Sequence, residues 1–213
     1  TLNDGFEINV LKSDPLKADS DGDGLNDDAE VWTHGTNPIA ADTDLDGLSD
    51  SEEITLKTNP SLADTDKDGL SDPDEINLLN TDPLTRDSDG DGIDDGNEDS
   101  DSDGLSDIDE LDTFNTNPKA ADTDGDGLSD SDELNVLGTR ALFEDSDGDG
   151  IIDGDEDTDS DGLTDANELN THHTDPKVAD TDKDGLSDGE EINIGTNPNG
   201  VDTDGDGLSD GEE

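Results

Sequence analysis

The chain has 213 residues, 24% hydrophobic and 2% aromatic, with 66 acidic side chains against 9 basic ones and a formal charge of −57. Ordering the backbone costs roughly 1–2 kcal/mol per residue, so this little apolar surface excludes an ordinary globular core and, on composition alone, reads as disorder. The charge repels nucleic-acid phosphates and anionic membrane surfaces, and the absence of cysteine removes disulfides and thiolate metal sites, which leaves oxygen ligands and hard cations.

One twelve-residue frame, DxDxDGxxDxxE, organises the chain, with Asp at positions 1, 3, 5 and 9, Gly at 6, Leu or Ile at 7 and Glu at 12. Residues 1–7 fit the back half of such a loop, except that Thr1 falls where the glycine belongs. The first complete copy offers Asp19, Asp21, Asp23, Leu25, Asp27 and Glu30. A linker carrying Trp32, His34 and Thr36-Asn37-Pro38 leads to the second, with Asp42, Asp44, Asp46, Leu48, Asp50 and Glu53. The third has Asp64, Asp66, Asp68, Leu70, Asp72 and Glu75, with Pro73 where a first helical residue tolerates it. The fourth, Asp87, Asp89, Asp91, Ile93, Asp95 and Glu98, abuts the fifth, Asp99, Asp101, Asp103, Leu105, Asp107 and Glu110, with no linker between them. Next come Asp122, Asp124, Asp126, Leu128, Asp130 and Glu133, and then, after the one linker without proline (Thr139-Arg140-Ala141), Asp145, Asp147, Asp149, Ile151, Asp153 and Glu156. That loop again abuts its successor, Asp157, Asp159, Asp161, Leu163, Asp165 and Glu168. The last two are Asp180, Asp182, Asp184, Leu186, Asp188 and Glu191, then Asp202, Asp204, Asp206, Leu208, Asp210 and Glu213.

A longer unit overlies the loops: residues 64–121 align without gaps to 122–179, with 38 of 58 positions identical. Seven of the eight linkers carry Ser/Thr-Asn/Asp-Pro. Both ends fall in the repeat register, so the expectation is a single array over 1–213, a window of a longer protein.

The frame matches the calcium loop of the EF-hand ligand for ligand. In the first copy Asp19, Asp21 and Asp23 approach the ion from one side, Gly24 permits the sharp turn, Leu25 lends its carbonyl, Asp27 acts through water and Glu30 closes the site with two oxygens. About seven oxygens at roughly 2.3–2.6 Å suit calcium better than magnesium. The Asp at position 9 and Glu at position 12 read as a helix start, and the Asn/Asp-Pro of the linker as its stop within about two turns. The expected fold is therefore mostly irregular: calcium-organised tandem repeats, EF-hand-like loops with short one- to two-turn helices, and little hydrophobic core. The ten loops use 50 of the 66 acids; ten calcium ions bring the charge from −57 to −37 and twenty bring it to −17. About ten or more ions per chain are expected, and without them the repelling carboxylates predict an unfolded polyanion.

The segment DTDGDGLSDSDE at 122–133, the Thr-Asn-Pro linker at 116–118 and the alternation of long and short spacings closely resemble thrombospondin type 3 repeats, in the cysteine-free bacterial form. The resemblance covers the whole chain. It implies repeats wrapped around a line of calcium ions, often more than one per motif, in extracellular or cell-envelope proteins. Animal members carry disulfides between repeats; here rigidity falls to calcium and to Leu, Ile and Pro packing. A paired EF-hand needs helices on both sides of each loop, and abutting loops leave no room for them. A dockerin has two loop-helix repeats against ten here.

His34, His172 and His173 sit in polar linker turns without a catalytic constellation, and the serines at position 8 (Ser49, Ser71, Ser106, Ser129, Ser187, Ser209) repeat at one structural place, which argues against a nucleophile. Trp32, Phe114 and Phe143 read as local packing, and Lys67 and Lys183 as solvent-facing. The expected role is non-enzymatic: an extracellular or cell-surface spacer or stalk (a periplasmic setting also fits) stiffened by calcium. Two alternatives stand beside it: a protomer of a self-assembling filament or surface layer, and an adhesin or linker segment tethering other domains. The expected partners are calcium, copies of the chain or flanking domains, with no nucleic acid and no membrane insertion.

Overall fold

The computed structural model describes residues 2–213; Thr1, where the opening half-loop lacks its glycine, lies outside them. Among the described residues there is no strand. The chain forms two compact units, one ending at Glu98 with four complete loops and one spanning Asp99–Glu213 with six.

Each loop runs into a short helical stretch. Asp50–Leu56 and Asp188–Ile194 are α-helical throughout. In five other loops an α-helical turn widens into π-helix, as in Asp27–Ala29 followed by Glu30–His34, Asp72–Asp74 by Glu75–Leu79, and Asp165–Asn167 by Glu168–His172, and the remaining three have only a 3-10 turn. The helix begins one residue earlier than the Asp/Glu pattern suggests. Position 8 is the N-cap, in extended conformation, and position 9 is the first helical residue. Ser49 accepts from the Glu52 N–H while Glu52 reaches back to the Ser49 N–H, and Ser187 and Glu190 do the same. This satisfies donors that a helix start leaves orphaned, and it gives the repeated serine a structural role.

The helix also stops before the proline. A left-handed residue ends each long stretch: Gly35 (φ 80°), Asn80 (φ 68°) and Gly138 (φ 82°) precede Thr36, Thr81 and Thr139 directly. The N–H of that residue returns to the carbonyl of the position-12 glutamate, 2.6 Å for Gly35 to Glu30, so the stop satisfies an otherwise free carbonyl. The following Asx-Pro turn then leads to the next loop.

The interior is carboxylate rather than hydrocarbon. Among the described residues, four leucines and one alanine (Leu70, Leu79, Leu105, Leu128 and Ala141) are buried, along with linker prolines, against twenty acidic side chains. Leu70 and Leu128 are both position-7 residues, and the Leu70 side chain lies beside Gly96 of the next loop. At Leu70 position 7 thus packs loop on loop, while Ile93, Ile151 and Leu208 at the same position, like most other large apolar side chains, stay partly exposed.

Candidate metal centres

Within a loop, backbone N–H groups fix the aspartates. In Asp122–Glu133, Asp122 accepts from Gly125 (2.6 Å) and Gly127 (3.0 Å), Asp124 from the Asp126 N–H (3.3 Å), and Asp126 from Leu128 (2.9 Å). Gly127 holds φ 101°, which a residue with a Cβ resists. Position 4 is left-handed as well, and there Leu45, Lys67 and Lys183 accept positive φ in exposed positions. The turn aims three carboxylates at one point: Asp19, Asp21 and Asp23, then Asp42, Asp44 and Asp46, then Asp64, Asp66 and Asp68, place ligand oxygens within 4.8 Å of one another.

Position 12 supplies the deepest carboxylates. Glu30, Glu53, Glu75, Glu110, Glu133, Glu168 and Glu191 each have 0% exposure. In five of the seven, one oxygen accepts a linker threonine hydroxyl, as from Thr116 to Glu110 at 3.2 Å and Thr139 to Glu133 at 3.1 Å. The other oxygen has no hydrogen-bond partner, and Glu30 and Glu53 have none on either oxygen. Burial, and then the aspartates at positions 3 and 5, push the Glu53, Glu110 and Glu133 carboxyls up to about 8. Buried charge without a counter-charge is not tolerated in an apo fold. These orphaned oxygens therefore fit a hard cation, and the all-oxygen donor set fits calcium.

Position 9 faces in a direction that the loop frame did not reveal. Its carboxylate is held from behind by the Ser/Thr at position 2: the Thr123 N–H donates to Asp130 Oδ1 (2.8 Å) and its hydroxyl to Asp130 Oδ2 (2.7 Å). The same hydroxyl accepts the linker Asn117 N–H at 2.9 Å. Held so, position 9 meets positions 5 and 12 of the preceding loop. Asp46, Glu53 and Asp72 form one such group, and Asp68, Glu75 and Asp95 another, with ligand oxygens within 4.8 Å. There are thus two kinds of carboxylate cluster, one within a loop and one between successive loops. The Ser/Thr that builds the second stands at position 2 of all ten loops, a signal in plain view that the ligand-centred frame passed over.

Loops 87–98 and 145–156 are built differently. Only a 3-10 turn follows position 9, at Asp95–Asn97 and Asp153–Asp155, and Glu98 and Glu156 are extended. With no linker after them, no helix carries position 12 inward, and both glutamates are only half-buried. Glu213, position 12 of the last loop, is exposed.

The remaining singled-out residues are local. Trp32 stacks on Phe6 with ring centroids 6.1 Å apart and remains 70% exposed. The Arg140 guanidinium lies 4.3 Å from the Phe143 ring centroid and donates to the Ser146 carbonyl. His173 is an exposed left-handed residue bonded to the Leu169 carbonyl at 2.9 Å, and His34 and His172 are half-buried. Among the described residues no helix is long and apolar enough to cross a membrane.

No curated protein matches the chain. Two solved structures are similar over 21% of the chain: the "Biofilm associated protein - B domain", at 41% identity, TM-score 0.21 and 11% of that chain, and the "Biofilm associated protein - BSP domain", at 40% identity, TM-score 0.21 and 8% of that chain. This chain therefore matches about a tenth of each. The model of the bacterial TSP3 repeat matches at 19–41, 42–63, 64–85, 99–121, 122–139, 157–179, 180–199 and 202–213. The two differently built loops fall outside those segments. With eight matched segments covering well over half its length, the chain belongs to the bacterial TSP3 repeat family.

Proposed function

We propose that the chain is a non-enzymatic, calcium-built structural array that serves as an extracellular or cell-surface spacer. The observation that carries this reading is the row of fully buried position-12 glutamates with unpartnered oxygens, each facing aspartates of its own loop. In this reading the core of the protein is metal: carboxylates at positions 1, 3, 5 and 12 and the position-7 carbonyl hold one ion per loop. Positions 5 and 12, with position 9 of the following loop, hold a second where a linker separates the loops. The count then lies between ten and twenty ions, because ten loops are present and the two abutting junctions lack the second arrangement.

Repeats bonded to nearby repeats along the chain, as Ser131 is to Asp103 and Asn170 to Gly127, add stability in a nearly one-dimensional way, which suits a spacer. Acidic loops of this kind suit millimolar calcium, as found outside cells. Small-angle scattering in millimolar calcium and again in excess chelator tests the reading. Compact, stiff dimensions should give way to those of an expanded chain. Identical dimensions in the two conditions would remove calcium from the architecture and with it the proposed function.

A further inference from the structure

Successive loops separated by a linker are joined by one recurring bond. The N–H of position 10 donates to Oδ2 of the position-5 aspartate in the preceding loop: Ser51 to Asp23 (3.2 Å), Gly96 to Asp68 (3.3 Å), Ser131 to Asp103 (2.9 Å), Gly154 to Asp126 (3.0 Å), Gly189 to Asp161 (2.7 Å) and Gly211 to Asp184 (2.8 Å). The remaining pair of this kind is the exception. Its position 10 is Pro73, which has no N–H. Asp46 Oδ2 is accordingly buried without a partner, and both oxygens of Glu53 are unpartnered too. Asp46, Glu53 and Asp72 still converge, with ligand oxygens within 4.8 Å, and Glu53 and Asp72 are each 0% exposed. In the neighbouring group Asp68 accepts the Gly96 N–H and Glu75 accepts the Thr81 hydroxyl, so fewer oxygens remain free.

We propose that Asp46, Glu53 and Asp72 form the tightest divalent-cation site of the chain, the one that calcium fills first, because Pro73 withholds the N–H that elsewhere shares the position-5 carboxylate. The inference rests on the calcium-array reading above. A backbone N–H on a carboxylate competes with a cation for the same lone pairs and offsets part of its charge. Withholding it leaves the metal-free site with uncompensated oxygens and leaves the loaded site nothing to lose. A charge-assisted hydrogen bond of ordinary strength corresponds to roughly ten-fold in binding. Proline breaks no bond within the helix at this place. It is the second helical residue after the Ser71 cap, where an N–H has no partner within the helix.

The test is calcium titration of the full chain against a competing chromophoric chelator, for the parent, Pro73→Ser and Ser131→Pro. Ser is the residue that stands at position 10 in loops 42–53 and 122–133. In Pro73→Ser the tightest binding step should weaken about ten-fold, with the total number of ions and the calcium-loaded circular dichroism unchanged. Ser131→Pro, which frees Asp103 in the same manner, should add a second tight step. A tightest step unmoved in Pro73→Ser, or no new tight step in Ser131→Pro, overturns the proposal. If Pro73→Ser does not fold in calcium, Ser131→Pro alone decides. Failure of the parent chain to bind calcium at all is a different result, and it strikes the calcium-array reading itself.

Discussion

The Gly154 N–H donates to Asp126 Oδ2 at 3.0 Å, across 28 residues, and so ties one loop to the ligand cluster of the loop before it. The approach that makes this bond leaves no room for a side chain: a Cβ on Gly154 would sit 2.5 Å from the Asp126 carbonyl oxygen. The glycine is chosen by close backbone contact. Gly154→Ala should therefore force the two loops apart and destabilise the calcium-loaded fold by about 1–3 kcal/mol, the usual cost of overpacking. Thermal unfolding in saturating calcium checks it; an unchanged midpoint means that the junction is looser than the distance implies.

The relay at position 2 makes a second prediction. Thr123 donates to Asp130 through both its N–H and its hydroxyl, and the hydroxyl accepts from Asn117. Thr123→Val keeps the shape and the N–H but leaves a buried carboxylate oxygen and a linker N–H unpaired, a loss of about 1–3 kcal/mol. Thr123→Ser retains the hydroxyl and should remain near the parent, as serine does at Ser20 and Ser88. Equal stability of the Val and Ser variants in calcium would contradict the relay.

Acidity gives a third. Burial, followed by repulsion from neighbouring aspartates, pushes Glu53, Glu75, Glu110, Glu133 and Glu168 up to about 8 from the ordinary 4.5. A carboxyl raised on folding favours the compact metal-free state fully below about pH 4.5 and loses that contribution as pH rises through about 8. In chelator, acidification from pH 8 toward 4 should therefore restore helical circular dichroism. Calcium must displace the same protons, so binding to the acid-compacted metal-free chain should release them, and binding at pH 9.5, where that chain is unfolded and its carboxylates are ionised, should not. Calorimetry in buffers of different ionisation enthalpy reads this directly; no buffer dependence at an acidic pH where the metal-free chain keeps its helical circular dichroism would count against the buried, protonated glutamates.

Much of this was legible in the residues, and the gaps have physical causes. The frame from Asp122 to Glu133 gave the loop, its turn and the inward glutamate, because ligand spacing and the glycine φ are local. The helix cap was displaced by one residue because Ser at position 8 competes with Asp at position 9 for the same role, and only the backbone shows which N–H each side chain reaches. Asx-Pro reads as the helix stop in the sequence, although a left-handed residue such as Gly35 or Asn80 precedes it. The group Asp46, Glu53 and Asp72 was not legible, since its members come from two loops and the path of the linker decides whether they meet. The different build of loops 87–98 and 145–156 was half legible. Their missing linkers were plain in the sequence; that the linker's helix is what buries position 12 was not.

The most direct measurement is calcium content per chain by elemental analysis after dialysis in millimolar calcium, with circular dichroism on the same sample before and after chelation. The account predicts between ten and twenty ions, for ten loops with additional clusters between those that a linker separates, and loss of the folded spectrum when they are removed. Few bound ions, or a spectrum indifferent to chelator, would contradict it and leave the buried glutamates without a counter-charge.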